Sequence, residues 1–452
     1  MFRRLQLLAG LGFLGFIGIQ FIRPELTNPL VLADLAAPVP VKQILRTSCY
    51  NCHSNETHLP WFDQIVPAYW LVAKDVKEAR QHMNFSDFNK MPVAGQKAFL
   101  YESVNQIQLG AMPPRDYKVV HHDSIVSAGQ LTVLKDYLHP PEANMPANSV
   151  QLAVADEQYQ QWIHAGTPAR EAPPAPNGFA FFPDYKNWKP VSTTDRYDNH
   201  TLRVILGNDV AIRAIAEDNI HPWPDGAAFA KIAWGQQAGD KGVVRAGEFW
   251  QVEFMVKDAA KYASTEGWGF GRWKTADLVP YGKSSTFTSE CTSCHAPMRD
   301  NDFVFTMPIK DRAEASDLFN RDAALPGDLP YQPFQWRVIT SSVDKQNATM
   351  STLYGNDLAV NHARTNGGPY PAGAILSLVT WHQQEDRHWF GGRIPSKVQS
   401  VEFVAVDSSS DKPAYSYQDY QGDPLKKSSA GDAAATASRI DSILSQRASV
   451  MP

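Results

Sequence analysis

All four cysteines of this chain lie in two short motifs of the form Cys-x-x-Cys-His. One motif spans Cys49–His53 (CYNCH) and the other spans Cys291–His295 (CTSCH). Two thiols on one helical turn add to the two vinyl groups of a porphyrin, and the histidine that follows reaches the iron. The motifs therefore predict two covalently attached c-type haems. The attaching cysteines are Cys49, Cys52, Cys291 and Cys294, and the axial histidines are His53 and His295.

Two other uses of paired cysteines fit less well. A four-cysteine zinc site needs both pairs close together in the sequence, and here more than two hundred residues separate them. A thioredoxin-like redox pair gives no reason for a histidine to follow both pairs. A structural metal protein without haem is thus the weaker interpretation.

Composition narrows the class of protein further. The 452 residues leave room for about three domains. Hydrophobic residues make up 43% and aromatic residues 11%, so wholesale disorder is excluded. A net charge of −5 argues against a nucleic-acid-binding surface. A mean hydropathy of −0.34 excludes a protein with many membrane spans.

The first 26 residues have the pattern of an export signal. Arg3 and Arg4 precede an apolar run from Leu5 to Ile22, after which no small-x-small cleavage pattern occurs. The run is about as long as the shortest membrane-spanning helix, so an uncleaved anchor in the cytoplasmic membrane is favoured over a cleaved signal. Either one places the rest of the chain in the periplasm. A buried helix of a soluble protein is the remaining alternative.

Residues 27–165 are predicted to form an all-α c-type cytochrome domain. Met112 lies in a Gly/Pro-rich turn late in this domain. A thioether is a soft ligand that raises the reduction potential, so Met112 is the expected partner of His53 on the iron. With both axial positions filled, this haem is suited to electron transfer. The alternatives, which give ligation by two histidines, are His82, His121 and His122.

Beyond a Pro-rich linker at 166–194, the chain repeats a series of motifs. Residues 195–310 contain Arg203-Val-Ile, PWPDGA, WGQQ and VEF, and residues 330–425 contain Arg337-Val-Ile, PYPAGA, WHQQ and VEF. Similarity in the same order indicates two related domains. The runs TLRVIL, AAFAKIAW, FWQVEFMV and SVEFVAV predict antiparallel strands, and short helices are expected at 209–217 and 258–264.

The expected fold is therefore multidomain. An all-α c-type cytochrome domain precedes two tandem α+β domains built on antiparallel sheets, the second without haem. A linker at 311–329 separates the two copies. Residues 426–452 are rich in Ser, Ala and Asp and are expected to form a mobile tail, with one short helix around 438–446.

The two copies differ where cofactor chemistry is expected. Only the first copy contains a CxxCH motif. Nine residues after a shared proline, the first copy has Lys231 and the second has Leu378. A lysine on a strand is ordinarily a solvated surface residue, but this one accompanies the haem motif and is absent from the copy without it.

The order of Arg203, WPDGAAFAK, VEFMVKD, GWGFGRW, SECTSCH and NDFVFT over residues 196–310 resembles the cytochrome P-460 family, relatives of cytochrome c′-beta. Residues 40–140 are similar to the single-haem domains of exported bacterial cytochromes. The P-460 resemblance implies a sheet fold, a haem with an open sixth site, and a lysine cross-linked to the porphyrin. Lys231 matches that lysine, with a lysine that merely lies near the haem edge as the alternative. The family oxidises hydroxylamine or binds NO or CO, usually as homodimers, so the haemless copy is hypothesised to replace a second subunit.

An iron that oxidises a nitrogen compound needs a base nearby, because protons leave together with electrons. Glu290 directly precedes the attaching cysteine and is the first candidate, followed by Glu253 and Glu266. Arg203 is a candidate for hydrogen-bonding a haem propionate or a distal ligand, although a counterpart at Arg337 favours a structural role.

Apolar residues near the second motif have two interpretations. Trp268, Phe270 and Trp273 are expected to wall the haem pocket. Met298 and Met307 are alternative sixth ligands, but core packing is the favoured interpretation for both.

These features predict a periplasmic di-haem cytochrome. The first haem relays electrons to or from the second, where a small nitrogen compound such as hydroxylamine or NO reacts. The alternative is a non-catalytic electron carrier or an NO/CO-binding module. Small redox proteins are the expected partners, and the oligomeric state stays open.

Overall fold

The computed structural model describes residues 2–139, 149–164, 171–239, 242–310, 318–365, 368–407, 414–429 and 431–452. The chain divides into two compact units, Met1–His139 and Pro140–Pro452. The first unit is helical and the second is rich in β-strands. The expected multidomain order, helical first and β-rich second, is therefore confirmed.

The helical unit contains no strand among its described residues. Its α2 is amphipathic, with Val41, Ile44 and Leu45 buried on one face. A capping box of Ser127 and Gln130 starts the last helix. The helices are α1 (Phe2–Ile19), α2 (Val39–Ser48), α3 (Tyr50–His53), α4 (Ala68–His82), α5 (Val93–Gln108), α6 (Arg115–Val120) and α7 (Ala128–Leu138).

In the part of the chain that the structure describes, no helix is both long and apolar enough to cross a membrane. The location of the chain stays a prediction.

The second unit is built on antiparallel strands. Its helices are α8 (Ser149–His164), α9 (Asp209–Ala216), α10 (Thr288–His295), α11 (Asp357–Ala363) and α12 (Ala433–Leu444). Its strands are β1 (Lys189–Arg196), β2 (Thr201–Gly207), β3 (Ala228–Ala238), β4 (Val243–Lys257), β5 (Trp268–Lys274), β6 (Val279–Pro280), β7 (Arg337–Asp344), β8 (Thr349–Gly355), β9 (Ile375–Glu385), β10 (Gly392–Asp407), β11 (Ala414–Gln421) and β12 (Lys426–Lys427).

Eight of these strands close into a barrel. Their order is β1-β2-β3-β4-β7-β8-β9-β10, and β10 pairs back with β1 where Asp195 lies opposite Arg393. The strands β5 and β6 extend the sheet from β4, and β11 and β12 extend it from β10. Closure leaves no exposed edge between the first and last strands of the barrel. The runs predicted as strands are thus confirmed as β2, β3, β4 and β10.

Alternate residues of each strand enter different cores. One cluster joins both halves of the barrel and includes Trp234, Phe254, Trp381 and Phe403, so it fills the interior. Two further clusters lie on the other face of the sheet. One is formed by β1–β5 with α9, and the other by β7–β10 with α11 and α12.

Segments expected to be linkers are packed against the barrel where they are described. Phe179, Tyr185 and Trp188 of the Pro-rich segment belong to the interior cluster, as do Ala323 and Leu329 of the second segment. Proline content obscured the aromatic run that follows it, and that run is apolar enough to be buried. Residues 165–170 and 311–317 lie outside the described residues.

The tail contains the short helix expected there, as α12, but the end of the chain is packed and not mobile. Beyond α12, Val450 and Met451 are buried in the barrel interior. The carbonyl oxygen of Val450 accepts a hydrogen bond from Trp234 Nε1 at 2.7 Å. The prediction of a mobile tail failed because it was based on the many small residues of this segment, whereas a few apolar side chains hold it in place.

Two smaller expectations are corrected. No α-helix forms over 258–264; a turn and a single 3₁₀ turn, Ala263–Thr265, stand there instead. Residues 149–164, expected in the first domain, instead form α8 of the second unit, where Gln158 Oε1 accepts from the Phe249 backbone N–H at 2.6 Å.

Candidate functional site

The first CxxCH motif lies in the helical unit, where Cys49 separates the end of α2 from the start of α3. The backbone N–H of Cys49 donates to Leu45 O at 2.8 Å. The N–H groups of Cys52 and His53 donate to Cys49 O at 3.1 and 2.9 Å. Both thiols and the histidine therefore share one helical turn.

A backbone carbonyl orients the His53 imidazole. Its Nδ1 lies 3.2 Å from Met83 O. A carbonyl oxygen only accepts, so Nδ1 carries the proton and Nε2 keeps its lone pair. Burial lowers the pKa of His53. The ring is thus neutral at neutral pH and available as a metal ligand.

The thiols of this motif are half-buried and protonated. Burial, with a smaller effect of Cys52, raises the pKa of Cys49 to about 12. Burial also raises the pKa of Cys52 to about 11. A redox-active thiol pair needs a depressed pKa, so these values argue against that use. Across the described residues, no group of three or more His, Cys, Asp or Glu side chains forms a metal site.

Polar contacts that sequence reasoning missed hold the motif in place. The Tyr50 hydroxyl donates to Asp34 Oδ1 at 2.6 Å, and its ring stacks on Phe85 at 4.8 Å. Arg80 Nε donates to Ser54 O, directly after the motif, at 2.7 Å. These partners are distant from the motif in the sequence, so no local sequence pattern predicts the contacts.

Acid is expected to destabilise the helical unit through Asp34. Burial opposes ionisation of this carboxylate, but hydrogen bonds from Tyr50, Lys42 and Arg46 outweigh it and hold its pKa at about 2. The ionised Asp34 therefore contributes fully to the stability of the helical unit above pH 3.8, the ordinary pKa of an aspartate. This contribution is lost as the pH falls towards 2. Because the side chain is 32% exposed, screening limits it to about 1 kcal/mol. In an acid titration of helical circular dichroism, Asp34→Asn should flatten this loss; equal slopes for the two proteins would contradict it.

Met112 lies in the turn after α5. Its backbone N–H donates to Gln106 O at 3.1 Å, and its side chain is 39% exposed. Its ligation of the iron stays a prediction.

The alternative histidine ligands differ in their surroundings. If His121 does not bind the iron, the sequence predicts that it is exposed to solvent. In the structure it is instead buried, and its Nε2 lies 2.9 Å from Asp63 Oδ2. His82 is exposed, with its Nε2 3.2 Å from Glu102 Oε1. His122 is also exposed.

The second CxxCH motif ends α10. His295 Nδ1 lies 2.7 Å from Phe303 O, so Nδ1 again carries the proton and Nε2 keeps its lone pair. Burial is the main cause that lowers the pKa of His295 to about 4. Burial also raises the pKa of Cys291 to about 11. This motif therefore repeats the arrangement of the first one.

Three neighbouring strands place a row of charged side chains beside this motif. Lys231 on β3 lies opposite Glu253 on β4, which lies opposite Arg272 on β5. Glu253 Oε2 pairs with Lys231 Nζ, and Glu253 Oε1 lies 2.7 Å from Arg272 Nε. Gln251 Nε2 donates to the same Oε1 at 2.8 Å. We call Lys231, Glu253 and Arg272 the charged row.

The charged row acts directly on the haem motif. Burial lowers the pKa of His295 most and the charge of Lys231 lowers it further, whereas the Phe303 hydrogen bond and the charge of Glu253 raise it. Burial opposes ionisation of Glu253, but Lys231 and Arg272 hold its pKa far below the ordinary range. Burial lowers the pKa of Lys231. The fold thus brings the lysine singled out by sequence to the second motif.

Arg203 extends the positive charge around Glu253. It is buried on β2, where its Nε donates to Thr201 Oγ1 at 3.2 Å. Burial and then the charge of Arg196 lower its pKa to about 9, so it stays mostly charged at neutral pH. Arg203 also contributes to holding the pKa of Glu253 down.

The predicted pairing of Arg203 with Arg337 in the repeat is wrong. Arg337 begins β7, the first strand of its half, whereas Arg203 is the third residue of β2. The strands β2 and β8 both run from a Thr to a Gly and precede a helix capped by an Asn side chain. The third residue of β8 is Ser351. The similar Arg-Val-Ile triplets concealed this shift.

Of the three candidate bases, Glu253 is the one in the charged row. Glu290 is exposed and accepts a hydrogen bond from the Tyr281 hydroxyl at 2.9 Å. Glu266 is exposed and pairs with Arg299 at 2.8 Å. The side chains of Glu290 and Glu266 are therefore engaged at the surface.

The aromatic residues of β5 divide between the two faces of the sheet. The Phe270 ring lies 5.2 Å from the His295 ring, and Trp268 belongs to the same outer cluster. Trp273 instead belongs to the barrel interior. Two of the three predicted wall residues thus lie on the motif's side.

The residues at both motifs fit a haem. Each histidine is half-buried and neutral, and is turned so that Nε2 is available to an iron. At the second motif, Arg203, Lys231 and Arg272 surround a single carboxylate. Three cations around one anion suit a porphyrin, which carries two propionates. Cys49, Cys52 and His53 would hold one haem, and Cys291, Cys294 and His295 the other.

Two family models match the chain. A model described as Haem-binding domain matches residues 14–140, and a model described as Cytochrome P460 matches residues 182–306 and 331–438. No curated protein matches the chain. The matches confirm the resemblance drawn from the motifs. They assign to the chain a haem cofactor and haem-based electron transfer or redox chemistry.

Proposed function

The chain belongs to the Cytochrome P460 family, and on that premise we propose that it is an exported di-haem c-type cytochrome that reacts with a small nitrogen compound. One observation carries the proposal. The charged row around Lys231 acts electrostatically on His295 and on Cys291, the residues of the second CxxCH motif.

Covalent attachment at both motifs is supported by their shared geometry. Each motif lies on one helical turn, and Cys49, Cys52 and Cys291 are thiols with raised pKa values. A protonated thiol is the form that adds across a vinyl group with its hydrogen. Export is supported by the basic start and apolar run of the first 22 residues.

We assign the two haems different roles. A haem iron exchanges electrons and, where one axial position is open, also binds small ligands. At the first motif, Met112 lies in the turn after α5 and is the proposed sixth ligand, which leaves electron transfer. At the second motif, Met298 and Met307 are both buried, in keeping with core packing. The open position there is proposed to take hydroxylamine or NO.

Glu253 is the proposed proton acceptor, in place of Glu290. The cations around it keep it ionised but make it a weak base. A lysine nitrogen bonded to the porphyrin no longer carries an ammonium charge. Cross-linking of Lys231 would therefore raise the pKa of Glu253 and make it a better base.

The second run of strands is proposed to be a copy of the first that holds no haem. It keeps a carboxylate, Glu402, opposite Leu378, just as Glu253 lies opposite Lys231. Arg439 of α12 binds this carboxylate with its Nε at 2.6 Å. Ile440 and Ile443 of α12 pack in the same cluster as Leu378. The chain's own helix thus covers the face on which the first copy carries its motif.

Replacement of Lys231 by leucine, the residue of the second copy, tests the cross-link. The reduced wild-type protein is expected to absorb far from an ordinary c-type haem, and Lys231→Leu to return an ordinary c-type spectrum with both haems still attached by mass. Lys274→Leu, on β5, is the matched control and should leave the spectrum unchanged.

Each outcome answers a separate part of the proposal. Equal spectra for wild type and Lys231→Leu contradict the cross-link. A wild-type mass without two covalent haems contradicts the cofactor assignment. No turnover of hydroxylamine with an artificial acceptor contradicts the enzyme, and leaves an electron carrier or a module that binds NO or CO.

A further inference from the structure

The imidazole of His295 is held by a short segment just after α10. Its Nδ1–H donates to Phe303 O at 2.7 Å. Its ring packs against two aromatic rings, with centroid distances of 5.2 Å to Phe270 and 5.0 Å to Phe305. The orientation of the ligand therefore depends on where the backbone of residues 303–305 and the ring of Phe305 are placed.

Phe305 is in turn held by the second half of the barrel. The Trp389 ring packs edge-on against Phe305 at 5.6 Å. His388 Nδ1 lies 2.6 Å from Phe305 O, and since a carbonyl only accepts, His388 is the donor. Both residues belong to the turn between β9 and β10, far from the motif in sequence.

The turn that carries these two residues is itself well anchored. Asp386 Oδ1 accepts the backbone N–H of His388 at 2.9 Å. Trp389 Nε1 donates to Asp198 Oδ2 at 3.1 Å, and the Arg196 guanidinium lies 4.4 Å from the Trp389 ring centroid. These contacts hold Trp389 and its turn without involving Phe305.

We propose that His388 and Trp389 are positioning residues for His295, so that the half without a haem motif tunes the haem of the other half. The inference rests on the proposed function, since it requires His295 to bind iron. A hydrogen bond to the outer nitrogen of a ligating histidine fixes the ring and raises its basicity. His388 and Trp389 hold Phe305, two residues beyond the carbonyl that accepts this bond, so they restrain the segment on which the orientation of His295 and the reduction potential depend.

The test uses the full-length di-haem protein, with the first haem as an internal reference. Trp389→Leu removes the edge contact on Phe305, loosens the bond from His295 to Phe303 O, and weakens electron donation to the iron. We expect the second haem to become easier to reduce, by on the order of tenfold in the reduced-to-oxidised ratio, or about 59 mV for one electron. The frequency of the iron–histidine vibration of the ferrous second haem should fall, and the reduction potential of the first haem should stay unchanged.

Three further variants make the result specific. Trp389→Phe keeps an aromatic edge and should restore most of the wild-type potential. His388→Phe removes only the donor to Phe305 O and should shift the potential in the same direction, which serves if Trp389→Leu does not fold. Trp250→Leu, a tryptophan that is 39% exposed on β4, should have no effect.

Two results overturn the inference. One is an unchanged potential and iron–histidine vibration in folded Trp389→Leu and His388→Phe. The other is an equal shift at both haems, which indicates a general loss of structure. Failure of the proposed function looks different, because the wild-type protein itself would then lack a histidine-ligated second haem.

Discussion

Glu253→Leu is expected to destabilise the β-rich unit by about 3 kcal/mol. The substitution leaves Lys231, Arg272 and Arg203 without their shared carboxylate. Breaking a buried ion pair by removing one partner costs about 3–5 kcal/mol, and we take the lower end because the Lys231 side chain is 35% exposed. The free energy of unfolding can be followed by the sheet signal in far-ultraviolet circular dichroism, since the first unit has no strand among its described residues.

The double variant Lys231→Leu/Glu253→Leu tests the reason for this loss. In protein made without haem, where Lys231 keeps its ammonium charge, it removes a cation together with the anion, so its cost should be clearly smaller than the sum of the two single costs. Additive costs would contradict a charge-based explanation. Glu402→Leu is the matched control in the other half: it removes a carboxylate in the equivalent register, and it should leave the spectrum of the second haem unchanged.

Glu253 also makes the stability of the β-rich unit depend on pH. The pKa of Glu253 in the folded protein lies far below the ordinary value of 4.5. The ionised Glu253 therefore contributes fully to the free energy of unfolding above pH 4.5, and this contribution is lost as the pH falls below that value. Glu253→Leu should remove this part of the acid sensitivity of the β-rich unit, and an unchanged pH profile would contradict the assignment.

Features that depend on residues close together in the sequence could be predicted, whereas those that depend on contacts between distant residues could not. The CxxCH motifs are local, so they indicated the thiols and histidines directly. Strand runs such as TLRVIL alternate within a few residues, and they were predicted correctly. Barrel closure pairs β1 with β10, and no local pattern reports which strands meet across such a distance.

The same limit explains the errors at the site. Glu290 was the favoured base because it adjoins Cys291 in sequence, yet its side chain turns to Tyr281. Glu253 reaches the motif only through the cross-strand register of β3, β4 and β5. Arg203 was matched to Arg337 by a shared triplet, whereas strand order relates it to Ser351. With that correction, both Lys231 and Arg203 lack a charged counterpart in the half without a motif, while the carboxylate is kept as Glu402.

Asp302→Ala is expected to have the second large effect, again about 3 kcal/mol of lost stability in the β-rich unit. Asp302 Oδ1 binds the ammonium of Lys257 at 2.8 Å, and both side chains are about one-tenth exposed. Its Oδ2 accepts the backbone N–H of Trp223 at 2.9 Å. The substitution leaves Lys257 buried without its anion. It also puts an alanine at a φ of +44°, a region that Asp and Asn tolerate better.

Asp302→Asn separates these two causes, because it keeps the tolerant side chain and removes only the charge. If the lost ion pair dominates, Asp302→Asn should cost nearly as much as Asp302→Ala, and Lys257→Met/Asp302→Asn should recover most of the loss. If backbone strain dominates, Asp302→Asn should be close to wild type. Asp302 directly precedes Phe303, whose carbonyl orients His295. A displaced loop should therefore also shift the potential of the second haem, and denaturant unfolding with a redox titration on the same samples would show both effects.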